Sequence, residues 1–162
     1  MTMKTMNDLF LHQLQDMYTA EKMILQTLPT MSKSVESGDL KEALDTHLGE
    51  TKNHVQRLEK VFKAIGEKPK GVKCQAIEGI FGEAKEQMGE IKSEAVCDAA
   101  IIASAQAVEH YEITRYGTLL AWAKELGHTD AAKLLKETLE EEKHADKVLT
   151  KVAEQKVNRA AA

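Results

Sequence analysis

Aromatic residues make up only 4% of the chain, and there are two prolines in 162 residues. A sheet protein fills its core with β-branched and aromatic side chains, so this scarcity, beside abundant Ala, Leu, Glu and Lys, argues for an all-helical chain. The two cysteines, Cys74 and Cys97, lie far apart without Cys-x-x-Cys spacing. That argues against a thiolate metal site and against a disulfide framework. Positive charge is not in excess either. The net charge is -4 with Lys and Glu interspersed, which leaves no electrostatic case for a nucleic-acid partner. No apolar run approaches the roughly 20 residues a membrane span needs, and the stretch from Met1 to Asp8 is not of signal-peptide type. The expectation is a soluble cytoplasmic protein with reduced thiols and no membrane partner.

What is present is helical periodicity. A single domain over residues 1–162 is expected, divided into a hairpin at 6–66, a crossover at 67–92 and a second hairpin at 93–158. The first helix starts near Asn7 and carries the stripe Phe10, Leu14, Met17, Ile24, Leu28, Met31 and Val35, with Glu21 inside it. Pro29 predicts a tolerated bend. Asp39 and Glu42 fit a capping box for the second helix. Its middle holds His47, Glu50, Thr51 and His54 where the stripe should be apolar. The crossover carries a short amphipathic stretch from Ile77 to Ile91. The third helix, about Ser93 to Leu126, brings Glu109 and Glu112 to its buried side. The fourth, capped by Thr129 or Asp130, runs to about Val157 and contains Glu141-x-x-His144.

Sliding the chain on itself by 91 positions without a gap gives twelve identities between residues 18 and 61 and their counterparts. Glu21 falls on Glu112, Leu44 on Leu135, Glu50 on Glu141 and Leu58 on Leu149. Two related helical hairpins would therefore face each other, and a rise of about 1.5 Å per residue puts all four glutamates near one level. Four carboxylates in an apolar interior cannot all stay ionised without cations among them. An oxygen-rich ligand set suits Fe or Mn better than Zn.

The expected ligands of two Fe or Mn ions are Glu21, Glu50, Glu112 and Glu141, completed by Glu109 and His144. Glu142 is the alternative to Glu141, and the repeat favours Glu141. Glu109 has Tyr18 as its counterpart, so its role would be asymmetric, an added carboxylate on one ion. His47 and His54 are either ligands or hydrogen-bond partners behind the ligands.

At these residues the chain resembles the YciE/YciF family of bacterial stress proteins, a ferritin-like group, and the YciF branch more closely. The resemblance rests on Ala20-Glu-Lys22, His47-Leu-Gly-Glu-Thr51, Lys73-Cys-Gln-Ala-Ile-Glu-Gly-Ile80, Ala105-Gln-Ala-Val-Glu-His-Tyr-Glu-Ile113 and Glu140-Glu-Glu-Lys143. It implies an all-α, ferritin-like four-helix bundle with a long crossover bearing a short extra helix, a di-metal carboxylate site, a homodimer and a part in stress responses. Reaction with peroxide or oxygen, or oxidation of Fe(II), would follow. With no four-cysteine module in the chain, electrons of the rubrerythrin kind would come from a separate protein. The alternative is a non-catalytic dimeric bundle with structural metals.

Overall fold

The computed structural model describes residues 3–162, and every regular element among them is helical. The elements are α1 (Met6–Ser34), α2 (Gly38–Ala64), α3 (Gln75–Glu90), α4 (Glu94–Glu125) and α5 (Thr129–Val152). A single π-helical turn, Ala153–Val157, and a short α6 (Asn158–Ala161) follow.

The ends of the helices are set by side chains that satisfy free backbone N–H groups. Thr5, and not Asn7, caps α1, in a reciprocal box with Asp8. Ser37 caps α2 in place of the Asp39–Glu42 box, because the helix already begins at Gly38. Ser93 caps α4. Neither Thr129 nor Asp130 precedes α5. His128 holds that position, without a side-chain bond. Gly66 and Gly127 follow α2 and α4 at φ 77° and 76°, the left-handed conformation that ends a helix at little steric cost in glycine. Pro29 lies inside α1, which continues past it to Ser34.

The four long helices pack in a closed order, α1 on α2, α2 on α5, α5 on α4 and α4 on α1, while α3 packs on α4. Contacts at the two ends give their directions. Asp98, near the start of α4, accepts hydrogen bonds from the backbone N–H of Glu36 (3.1 Å) and Ser37 (2.8 Å) beside the α1–α2 connection. Lys156, beyond α5, pairs with Asp39 at the same end. At the far end the His128 ring lies 5.6 Å from that of Phe10. Each long helix therefore runs antiparallel to both of its neighbours.

One apolar face of each long helix fills the centre. Phe10, Leu14, Met17, Leu58, Phe62, Tyr116, Leu119 and Leu135 are wholly or almost wholly buried. Each such side chain contributes about 1.5–3 kcal/mol on burial, which holds the helices against the loss of chain entropy. Midway along, that apolar column is interrupted by Glu21, His47, His54, Glu109, Glu112 and Glu142, all buried.

Candidate metal centre

Helical spacing explains how six polar side chains meet at one height. On α2, Leu40, His47, His54 and Val61 recur every seven residues, which returns to the same face after two turns. The two imidazoles thus stack along the inner seam, with ring centroids 6.2 Å apart. Glu109 and Glu112 are one turn apart on α4, and Glu21 sits on α1 between Met17 and Ile24. On α5 the buried series is Leu135, Thr138, Leu139, Glu142, Ala145 and Leu149, so Glu142 is the inward acid.

Two groups of candidate ligands emerge. His47, Glu109, Glu112 and Glu142 each offer an atom within 4.8 Å of the others, and Glu21, His54 and Glu142 do the same. Glu142 belongs to both and stands where it could bridge two ions. His47 Nε2 lies 3.3 Å from Glu109 Oε1 and 3.9 Å from Glu142 Oε2. His54 Nδ1 lies 2.9 Å from Glu142 Oε1 and 3.5 Å from Glu21 Oε1. The Tyr116 hydroxyl donates to the same Glu21 oxygen, Oε1, from α4.

The test of whether these residues fit a metal is what their polar atoms lack. Among the described residues, nine buried side-chain N or O atoms make no well-aligned hydrogen bond, and eight belong to Glu21, His47, His54, Glu109, Glu112 and Glu142, whose nearest polar neighbours are one another. Both oxygens of Glu112 and both of Glu142 are among them. Leaving a buried carboxylate unsatisfied costs about 1–3 kcal/mol or more, and a folded chain avoids doing so repeatedly in one place. Cations among these atoms would satisfy the whole set.

Electrostatics tell the same story for the metal-free chain. Burial, reinforced by the neighbouring carboxylates, holds the Glu112 carboxyl well above its ordinary range. Burial also raises Glu109 well above it, against the pull of His47. Burial raises Glu142 too, opposed by His54. The imidazoles respond oppositely. Burial would lower His54, but Glu142 and Glu21 push it up to about 11. Burial would likewise lower His47, and Glu109 and Glu50 raise it. Without metal the centre neutralises itself with protons, and cations would displace them.

Of the residues expected from the sequence, the structure brings together Glu21, Glu109 and Glu112, and it joins to them His47, His54 and Glu142. Glu50, Glu141 and His144 stand outside that set. Glu141 is one residue from Glu142 and so turned by about 100°. It is partly exposed, accepts two hydrogen bonds from Arg57 at 2.7 and 3.1 Å, and meets His54 Nε2 at 2.7 Å. Burial would raise its carboxyl, yet Arg57 and His54 hold it below the ordinary range. Glu50 is the inward Thr51's neighbour and meets His47 Nδ1 at 3.4 Å. His144 is exposed, because two residues beyond Glu142 is about 200° around the helix.

The repeated pair therefore keeps one role at an unforeseen place. Glu50 backs His47 and Glu141 backs His54, each holding the outer ring nitrogen while the inner nitrogen faces the centre. Carboxylates behind metal-binding imidazoles fix their tautomer and orientation in this way.

Residues 5–162 match the family model described as Domain of unknown function (DUF892). Protein YciF of Escherichia coli K12 is 45% identical over 162 residues, covering 99% of this chain and 98% of that protein. The crystal structure of that E. coli stress protein superposes with a TM-score of 0.91, covering 96% of this chain and 99% of it. YcfI of Rhodopseudomonas palustris, proposed to be a structural protein, is 52% identical with a TM-score of 0.89, covering 91% of this chain and 94% of its own.

Proposed function

The chain belongs to the DUF892 family, and with that kinship as the starting point we propose that it is a ferritin-like di-metal carboxylate protein of the bacterial stress response. YciF, its E. coli relative, is described as a stress protein. In this reading the chain is a single ferritin-like four-helix bundle domain with α3 on the crossover, and it works as a homodimer in the cytoplasm. The centre holds two Fe or Mn ions. Glu21 and His54 would hold one, and His47, Glu109 and Glu112 the other, with Glu142 belonging to both groups. The observation that carries this is the concentration of partnerless buried carboxylate and imidazole atoms at one level of the core.

Such ions supply redox chemistry toward peroxide, oxygen or further Fe(II). The residues of the chain do the rest. Glu109 and Glu112, one turn apart on α4, would offer carboxylate oxygens to an ion held with His47. Glu141 with Arg57, and Glu50, keep the imidazoles from rotating away. The apolar layer of Leu58 and Tyr116 closes the centre on one side, while Leu28 and Leu44 line the approach to it on the other. Electrons for turnover would come from a separate donor.

The experiment is anaerobic reconstitution with Fe(II) or Mn(II), metal analysis of the desalted protein, and measurement of hydrogen peroxide consumption with a supplied reductant. Two ions per chain with turnover support the proposal. Two ions without turnover under any reductant support a second reading, a non-catalytic dimeric bundle with structural metals, which the description of YcfI as a structural protein favours. No stoichiometric metal sinks both.

A further inference from the structure

The half of the core between the Glu–His centre and the α1–α2 connection is less completely filled than the other half. Leu14, Leu58, Phe62 and Leu119 retain 0–1% of their surface, whereas Met31, Ala105 and Ala145 retain 6–9%. They border a cavity of about 460 Å³, walled also by Ile24, Leu28, Leu44 and Leu149. That falls in the range of roughly 300–1,000 Å³ found for small-molecule sites, and natural cores seldom leave such a void without use. Its cause lies in the sequence. Ala43, Ala105 and Ala145 stand on the lining of α2, α4 and α5, where larger apolar side chains would close the space.

The two ends of the cavity differ. At one end are His47 and Glu109, both buried, with His47 Nε2 and Glu109 Oε2 lacking hydrogen-bond partners. At the other the Asp39–Lys156 ion pair, with Glu42 and Lys151 nearby, presents balanced charge to solvent. From His47 to Asp39 is eight residues of α2, so the space is roughly 12 Å long. Its floor is apolar, from Ile24, Leu28, Leu44, Val108 and Leu149, while Thr46, Glu50, His144 and Gln155 stand along a rim that opens between α2 and α5. A floor of that kind suits an aliphatic chain better than a macromolecule or a multiply charged metabolite. We propose that the cavity binds an unbranched aliphatic molecule of medium length carrying one oxygen-bearing end group, with that end at the His47–Glu109 edge. The proposal rests on the metal-centre reading in one respect, that the oxygen-bearing end would be offered to the ions as substrate.

The test is titration of decan-1-ol into metal-free and metal-loaded protein, followed by methyl NMR of the leucines and valines, with metal content measured on the same samples. Saturable one-to-one shifts centred on Leu28, Val108 and Leu149 are expected. The filled variant Ala105→Leu/Ala145→Leu should bind at least about tenfold more weakly while keeping its metal content. If that variant does not fold, Ala145→Val alone should still weaken binding by a measurable factor. An unchanged affinity in the filled variants, or no saturable shift in the natural protein, overturns the proposal. So does a dimer mass that falls as decanol binds, because the cavity would then be a seat for a second copy. Decanol binding by a natural protein that takes up no stoichiometric metal supports the cavity site and sinks only the metal reading.

Discussion

Replacing Glu112 with Gln should stabilise the metal-free protein and abolish its stabilisation by metal, two effects of opposite sign from one substitution. Glu112 is fully buried, and neither of its oxygens has a hydrogen-bond partner. Its carboxyl is held well above the ordinary range by burial and by Glu142, Glu21 and Glu109. A carboxyl whose folded pKa is raised contributes its full stability below the unfolded value, and that contribution is lost as pH rises through the folded one. While the folded chain keeps the proton that the unfolded chain has released, stability falls by about 1.4 kcal/mol per pH unit. Gln removes that slope, and its amide can donate to the neighbouring carboxylates. The gap between variant and natural protein should then widen by about 1.4 kcal/mol per pH unit for as long as the folded chain keeps that proton. For a chain of this size that is roughly 3–6 °C in Tm per pH unit. Calorimetry of both proteins with chelator and with saturating Mn(II) measures both effects. Natural protein at about 100 times its dissociation constant should gain about 2.7 kcal/mol from the ion, and the variant much less. A variant that melts lower than the natural protein without metal, and still gains from Mn(II), would refute the reasoning.

Further outcomes follow from the same geometry. Metal-free protein should lose stability as pH rises above the ordinary carboxylate range, because the raised Glu109, Glu112 and Glu142 carboxyls favour the protonated, lower-pH side, and again between the ordinary histidine value and about 11 as His54 gives up its proton. Metal affinity should rise with pH, with protons released into a weakly buffered solution. Glu142→Gln should eliminate stoichiometric metal, whereas Glu141→Gln, which only loosens the support of His54, should weaken binding by about 10–100-fold in a competition assay. His144→Ala should change neither metal content nor stability beyond about 0.5 kcal/mol, since the side chain is exposed. Leu58→Ala should lower stability by about 2–5 kcal/mol in denaturant titrations through the cavity it leaves beside Phe62.

Much of the fold was legible because long helices repeat their apolar residues over many turns. The glycines at 66 and 127, which end α2 and α4, could be read directly. Caps were less legible, since Thr5 and Ser37 each have an equally plausible neighbour two residues on. The level of the acidic layer was legible, but its rotation was not. The repeat matched Glu50 with Glu141 by identity, and identity marked a shared outer role rather than a shared inner one. Burial is the better guide, because it follows the helical period. Leu40, Leu44, His47, Thr51, His54 and Leu58 of α2 stand 91 positions before Ala131, Leu135, Thr138, Glu142, Ala145 and Leu149 of α5, and both sets are buried throughout. Read by that period, Glu142 lies seven residues after Leu135 and seven before Leu149. The same seven-residue spacing places His47 and His54 in line with Leu40 and Val61. His144 belongs to the Glu141 register, and it moved outward with it.

Anomalous diffraction from crystals of the Mn(II)- or Fe(II)-loaded protein, recorded on either side of the metal edge, tests the central claim most directly. Two peaks per chain are expected, one between Glu21 and His54 and one among His47, Glu109 and Glu112, with Glu142 reaching both. Loaded crystals with no peak inside the helices, or with ions bound only at surface carboxylates, would contradict it.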